Sequence, residues 1–369
     1  MKNKFVKNIE WSILICCIVL LLIGMLALYS ATQDTGSLEL KKQIVWTIVS
    51  IPIMIIVMVI DYNHIAKISP ILYGVFIIAL IAVLFTEPIN GATSWFQISE
   101  WMSFQPSEFA KVIFIVFLAY IIGKLQKGEK REINKFWKLL ITMLIFAVPA
   151  FLIVLQPDYG TLAAFLMAYI FIMFAGGIDK KLVILAIVVV IVSIPLAYQY
   201  VLPEHAKDRI DVFLNPELDP RGSGYNIKQS KLAIGSGQLL GMGLLKGNQT
   251  QLGYLYPKTT DFIFSVIGEE MGFAVAALVI IMYVILITKS IYVAKTSKDD
   301  VGSYIAIGIC GVFTFHMLEN IGMTMGLLPI TGVPLPFVSY GGSSLVTNFA
   351  CIGLLLNISG RRQKALFID

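Results

Sequence analysis

Apolar runs long enough to cross hydrocarbon, about 18 residues or more, recur along the whole chain between short polar turns. Ten of them fall at approximately Ser12–Ala31, Gln43–Ile60, Ile68–Thr86, Ser107–Gly123, Lys138–Leu155, Gly160–Gly176, Leu182–Gln199, Phe262–Thr288, Gly302–Gly326 and Phe337–Ser359. One separator is different: a polar interval of both charge signs extends from about Tyr200 to Asp261. The runs lack the two-residue alternation of a membrane barrel, and backbone in lipid must satisfy its own hydrogen bonds, so each run reads as a helix. The expected fold is an all-α polytopic membrane protein with ten transmembrane helices, forming a single membrane domain over residues 1–369. A large extracellular loop, about 200–261, lies between helices seven and eight.

Composition sharpens this. With 57% hydrophobic and 14% charged residues, the chain falls well below the charge of a soluble domain, about 25%. The first run is too long for a signal-peptide core and has no clean small-residue cleavage site, so it reads as a retained helix. Cys16, Cys17, Cys310 and Cys351 all lie within apolar runs and read as small buried hydrophobes rather than ligands or a disulfide.

The basic residues set the orientation. With the N-terminus inside, Lys2, Lys4, Lys7, the cluster from Lys124 to Lys138, the lysines from Lys289 to Lys298 and the Arg361-Arg362 pair all fall on the inner side. Lys41 and Lys42 fall outside in a short loop, and the lysines of the long loop count for little under the positive-inside rule. Both termini are therefore expected in the cytoplasm, with the long loop facing outward. The net charge of +5 follows from this asymmetry and implies no nucleic-acid partner.

Polar groups inside the runs are costly and become functional candidates. In Gln105-Pro106-Ser107-Glu108-Phe109-Ala110-Lys111, proline opens a helix and Glu108 and Lys111 share one face, either as a packing ion pair or as a substrate contact. Asp158 in Gln156-Pro157-Asp158-Tyr159-Gly160-Thr161 reads as a turn and cap residue or as the lining of an outer cavity. In the long loop, residues Lys228 to Gly237 read as a short interfacial helix carrying Lys228 and Lys231, followed by a glycine-rich bend. Glycines 235, 237, 241, 243 and 247 would allow close approach to a ligand, phosphate in particular. Asp261 stands just before the eighth run. It reads either as a helix cap or as a general base whose pKa is raised beside lipid. Glu269 and Glu270 inside that run should face protein partners, and His316, Glu319 and Asn320 read as hydrogen-bonded helix contacts, with a metal-ligand pair or proton relay as the alternative.

The segment from Asn320 through Pro329, Pro334-Leu335-Pro336, Ser339-Tyr340-Gly341-Gly342 and Ser344 resembles the signature of the SEDS family, the RodA, FtsW and SpoVE proteins of bacterial wall synthesis. Its prolines and glycines forbid a continuous helix, which fits a re-entrant or broken element. Further matches are Asn90-Gly91-Ala92 with Trp95, Gln105-Pro106-Ser107-Glu108, Gln156 to Thr161, Gly222 to Tyr225 and Thr260-Asp261-Phe262-Ile263-Phe264. The chain resembles RodA more than FtsW, having no long cytoplasmic tails.

The resemblance implies a peptidoglycan glycosyltransferase that polymerises lipid II for cell-shape wall synthesis, acting with a class B penicillin-binding protein. It implies Asp261 as the catalytic residue and places Glu108 and Lys111 beside the substrate cavity. Gln105, Trp95, Asp158, Lys228, Lys231, Lys258 and Ser339 complete the expected substrate-binding set. Ser94 and Ser103 stand where relatives often carry arginine, and Pro257-Lys258-Thr259 replaces a usual acidic and histidine pair, so Lys258 is expected to supply some of the positive charge. The lysines of the outer loop, or a divalent cation (magnesium or manganese) held by no recognisable motif, would stabilise the leaving pyrophosphate. Two rivals remain from other classes, a lipid II flippase and a non-catalytic scaffold for a penicillin-binding protein.

Overall fold

The computed structural model describes residues 2–34, 36–88, 92–99, 102–185, 188, 192, 198–199 and 204–362. The helices are α1 (Lys2–Asn8), α2 (Trp11–Ala31), α3 (Leu38–Val59), α4 (Tyr62–Val83), α5 (Pro106–Gln126), α6 (Phe136–Leu155), α7 (Tyr159–Ala175), α8 (Glu204–Leu214), α9 (Ser223–Ser236), α10 (Asn248–Gln251), α11 (Ile263–Lys295), α12 (Asp300–Thr324) and α13 (Gly342–Gly360). A two-stranded hairpin, β1 (Phe96–Ser99) with β2 (Met102–Phe104), precedes α5. Seven of the described helices, α2, α3, α4, α6, α11, α12 and α13, are long and apolar enough to cross a membrane. The chain is thus an all-α polytopic membrane protein. The seventh expected span, 182–199, lies largely outside the described residues, as do Asn90 and Gly91.

The helices start where their sequences dictate. Asp61 accepts from the amide of Asn63 at the head of α4, and Asp299 accepts from that of Gly302 at the head of α12. Proline occupies the first turn of α5, where its missing amide costs nothing. On α3, α4 and α6 the outward residues are as apolar as the inward ones, including Ile48, Val59, Ile71, Ile78 and Phe151, as lipid-facing helices require. Helix α13 is the hub: nearly every residue of it is buried, and it packs against α3, α5, α12 and α2.

Two element boundaries differ from the sequence expectation. The last helix begins at Gly342 rather than Phe337, because Phe337 has a left-handed φ of 67° and residues 325–341 form irregular backbone. Helix α11 continues to Lys295 but is broken at Gly272, whose φ of 77° and ψ of −178° are not helical. There the amides of Phe273 and Ala274 turn to the carbonyls of Gln238 and Leu239, while the carbonyls of Glu269 and Glu270 accept from Met242 and Gly243. A Cβ on Gly272 would collide with the backbone of Leu240 and Gly241. The loop glycines at 237 and 241 serve this close packing on α11. At these two positions the close approach expected of the loop glycines is to the backbone of α11.

The bundle has two distinct ends. At one, Glu10 pairs with Lys289 at 2.9 Å and Arg362 at 3.4 Å, and Arg361 pairs with Asp61 at 3.3 Å, so both ends of the chain share a face. The long loop and Asp261 lie at the other end. Replacing Gly272 by alanine forces both a strained φ and a backbone clash, so Gly272→Ala should destabilise by more than about 2 kcal/mol. Gly235 in α9 meets open space, and Gly235→Ala should leave stability unchanged or raise it by up to about 1 kcal/mol. Melting of the two detergent-purified variants checks the contrast.

Candidate functional site

Irregular backbone inside an apolar bundle has to find hydrogen-bond partners among side chains. Segment 325–341 finds them on the surrounding helices. Asn320 of α12 donates to the Val333 carbonyl at 2.9 Å, and His316 one turn earlier contacts the Pro334 carbonyl at 2.9 Å. Tyr283 of α11 donates to the carbonyl of Pro336. Gln43 of α3 donates to the Ser339 carbonyl at 3.2 Å and accepts from the Gly341 amide at 3.3 Å.

The same segment holds the strand of chain that carries Asp261. The Ser339 hydroxyl donates to the Thr260 carbonyl at 2.6 Å, and the Tyr340 amide donates to the Thr259 carbonyl at 2.9 Å. The second amide hydrogen of Asn320 reaches the Asp261 carbonyl at 3.1 Å. Asp261 is therefore fixed by its own carbonyl and by those of the two residues before it. The N-cap position of α11 is Phe262, and among the described residues no amide at the head of α11 donates to the Asp261 carboxylate, so this acid is not acting as the helix cap. Asp261 is half-buried, its Oδ2 facing Gly332. Burial pushes its carboxyl up to about 6, against the pull of the Thr260 hydroxyl and the Arg209 guanidinium.

Beneath Asp261 lies a buried charged cluster. Lys111 pairs with Glu108 at 3.0 Å, and both are almost fully buried. Glu108 also accepts from Thr347 at 3.1 Å. The Lys111 ammonium lies 3.1 Å from His316 Nε2. An ammonium only donates, so Nε2 accepts and Nδ1–H donates to the Pro334 carbonyl, which fixes the tautomer. The ion pair thus reaches through His316 to the segment that holds Asp261. Nearby, Gln105 donates to Asp158 at 3.0 Å, and its amide donates to Ser343 at 3.1 Å. Asp158 caps α7 through the amide and hydroxyl of Thr161. Burial raises its carboxyl above the ordinary range while those Thr161 hydrogen bonds lower it.

Other expected residues lie at the rim. Trp95 is half-buried at the start of the hairpin, its carbonyl accepting from Thr86. Ser103 accepts from Ser343 at 3.5 Å. Lys258 is tied to Asp34 at 3.0 Å and to the Thr250 carbonyl at 3.2 Å. Lys228 is exposed, and Lys231 lies against Gly326 at the carbonyl end of α12, a position that suits a cation. Glu269 and Glu270 face protein, as expected. Glu269 accepts from the amides of Gln249 and Thr250 at 2.7 and 3.0 Å, and Glu270 accepts from the Gln251 side chain at 2.8 Å.

Sequence reasoning missed Arg209, on α8, whose charge bears on both Asp261 and Tyr159. It stands among His205, Lys207, Asp208 and Asp211, and nothing in the pattern singles it out. Gln43 was also missed, although a glutamine inside an apolar run is itself a signal of a buried partner.

Lys111→Ala would strand the Glu108 carboxylate in the core and should cost about 3–5 kcal/mol. The paired change Glu108→Gln with Lys111→Met leaves no uncompensated charge and should recover most of that loss. A double-mutant cycle on melting temperature measures both.

With the geometry defined, comparison with known proteins gives the family. The model described as "Cell cycle protein", covering FtsW, RodA and SpoVE, matches residues 10–364. The chain is 34% identical over 359 residues to the peptidoglycan glycosyltransferase MrdB of Escherichia coli (strain K12), covering 96% of this chain and 95% of that protein. It is 31% identical over 438 residues to the peptidoglycan glycosyltransferase RodA of Treponema pallidum (strain Nichols), covering 98% and 100%. Among solved structures, a chain of a peptidoglycan synthase complex matches with a TM-score of 0.82 at 25% identity, over 95% of this chain and 97% of that one. Thermus thermophilus RodA shares the fold with a TM-score of 0.72 at 24% identity, over 96% and 97%. Agreement in sequence and in fold over nearly the full length leaves one conclusion: the chain belongs to the FtsW/RodA/SpoVE family.

Proposed function

We infer that this multi-pass membrane protein is a peptidoglycan glycosyltransferase polymerising lipid II into glycan strands, with Asp261 as its general base. The observation that carries the assignment of Asp261 is that its carboxylate is rigidly mounted yet takes no part in capping α11. A base tuned to about 6 is mostly ionised at neutral pH and still accepts a proton well.

In the reaction, the 4-hydroxyl oxygen of the acceptor lipid II sugar attacks the anomeric carbon of the polyprenyl-pyrophosphate-linked glycan. Asp261 takes the hydroxyl proton as the new C–O bond forms. The bond from the anomeric carbon to the phosphate oxygen breaks, its electron pair leaves with the lipid pyrophosphate, and the configuration inverts. Arg209, whose charge reaches Asp261, is the cation proposed to meet that leaving charge; Lys228 and Lys231 of α9 are exposed and could join it, whereas Lys258 is tied to Asp34. A divalent cation, magnesium or manganese, would add positive charge at the leaving pyrophosphate; among the described residues no group of three His, Cys, Asp or Glu side chains is arranged to hold it. The buried Glu108–Lys111 pair acts as the floor of the site and positions segment 325–341 through His316.

The outer location of the loop, with both termini cytoplasmic, follows from the lysine distribution and agrees with the shared face of Glu10 and Arg362. A class B penicillin-binding protein is the proposed partner, supported by the likeness to a peptidoglycan synthase complex chain. The flippase reading lacks support because the acids Asp158 and Asp261 gather at one end of the bundle.

Purified protein with its partner should yield glycan ladders from lipid II, and Asp261→Asn should yield none. The variant should still fold. A carboxyl raised by burial favours the protonated native state, so its stability contribution is present below the unfolded value of 3.8 and is lost as pH rises through about 6. Asparagine removes that cost, and the variant should melt no lower than wild type at pH 7.5. Ladders that persist would return the protein to the flippase or scaffold reading. Polymerisation should fall as pH drops below about 6, and Arg209→Ala should move that limb to higher pH while lowering the maximal rate by about 10-fold or more.

A further inference from the structure

At the end of the bundle away from Asp261, the C-terminal ends of α7 and α11 and the N-terminal end of α12 enclose a groove of about 1110 Å³. The reaction uses none of it. Its walls divide by chemistry. The part within the bundle is apolar, formed by Ile170, Phe171 and Phe174 of α7 with Ile291 of α11 and Ile307 of α12. Its rim carries three cations, Lys130, Lys295 and Lys298.

The two acids at this rim do not neutralise those cations. Asp299 is turned to structural work: one oxygen caps α12 through Gly302, and the other accepts from Tyr62 at 2.7 Å and Asn63 at 3.1 Å. Asp300 approaches Lys130 only to 4.0 Å, with both side chains exposed, an arrangement that contributes little. Lys295 and Lys298 are exposed and have no ion-pair partner among the described residues. A cation at the C-terminal turn of α11 complements the helix dipole, which accounts for Lys295 alone. Lys298, Lys130 and the apolar groove below them are left without a purpose.

We propose that this groove binds a single phospholipid bearing a net negative headgroup, drawn from the leaflet on the side of Glu10 and Arg362. The headgroup phosphate lies among Lys130, Lys295 and Lys298, and an acyl chain follows Phe171, Phe174 and Ile291. Size and charge together select this occupant. The groove exceeds the roughly 300–1,000 Å³ of a drug-sized ligand site, far more than free phosphate requires, and a soluble anion gains nothing from Ile170 or Phe174. A lipid without net charge leaves the three cations unanswered. Basic pockets between transmembrane helices on the cytoplasmic side suit acidic headgroups, each lysine strengthening binding about fivefold. The helices joined here lead, at their other ends, to Asp158, Asp261 and Asn320.

The test is native mass spectrometry of the intact protein in neutral detergent, titrated with phosphatidylglycerol or with phosphatidylcholine of the same chains. Wild type should retain one phosphatidylglycerol at least tenfold more tightly than phosphatidylcholine. The variant Lys295→Ala with Lys298→Ala should lose tenfold or more of that affinity, while its hold on phosphatidylcholine and its polymerisation of lipid II in phosphatidylcholine stay unchanged. The control Lys124→Ala with Lys127→Ala, on the same face outside the groove, should bind like wild type. Equal phosphatidylglycerol affinity in the groove variant, an equal loss in the control, or full displacement of the lipid by equimolar inorganic phosphate would each overturn the proposal.

Discussion

Within the irregular segment 325–341, residues 333–341 are non-helical backbone largely buried in an apolar bundle, and their amides and carbonyls, which no helix pairs, are the constraint on which the rest of the structure depends. Each buried group left unmade would cost about 1–3 kcal/mol, so the neighbouring helices carry polar side chains where lipid-facing positions could not. Asn320, His316, Tyr283 and Gln43 answer four successive stretches of the segment. Having been fixed, the segment fixes something else: Ser339 and Tyr340 take the carbonyls of Thr260 and Thr259. The acid that follows inherits the rigidity.

A second clamp holds the chain on the other side of Asp261. Helix α11 breaks at Gly272 so that its carbonyls meet the loop at Met242 and Gly243. Glu269 and Glu270, buried one turn earlier, accept from the amides and side chains of residues 245–251. Two acidic side chains inside a membrane are tolerated here because several donors converge on each of them. Between the two clamps, Asp261 keeps a carboxylate with little structural duty, in surroundings that raise its proton affinity.

Much of this was legible in the sequence. The apolar runs gave the helices, since their period and length are set by hydrocarbon thickness, and the seven long helices fall where the runs do. The prolines and glycines after Gly326 announced the broken segment, because proline can neither donate nor continue a helix. Gln105, Glu108, Lys111, Asp158, Ser339 and Asp261 do converge around it. Other details were hidden. The sequence leaves Asp158 and Asp261 alike, each an acid before a helix, and only geometry separates the carboxylate that caps from the one that does not. The glycines of the long loop signalled close approach correctly, but the partner is the break in α11, and a break at one glycine among several in an apolar run leaves no trace in periodicity. Arg209 was invisible because the acid its charge acts on, Asp261, lies 52 positions away in the chain, and proximity at that range belongs to the tertiary fold.

Asp261 is the proposed titrating base, and its proton can be followed directly. Infrared difference spectra of wild type against Asp261→Asn across a pH titration isolate this carboxyl from every other. A protonated-carboxyl band lost with a midpoint near 6, coinciding with the acid limb of lipid II polymerisation, is the predicted result. A midpoint at the ordinary aspartate value of 3.8, or an acid limb that does not follow the band, would contradict it.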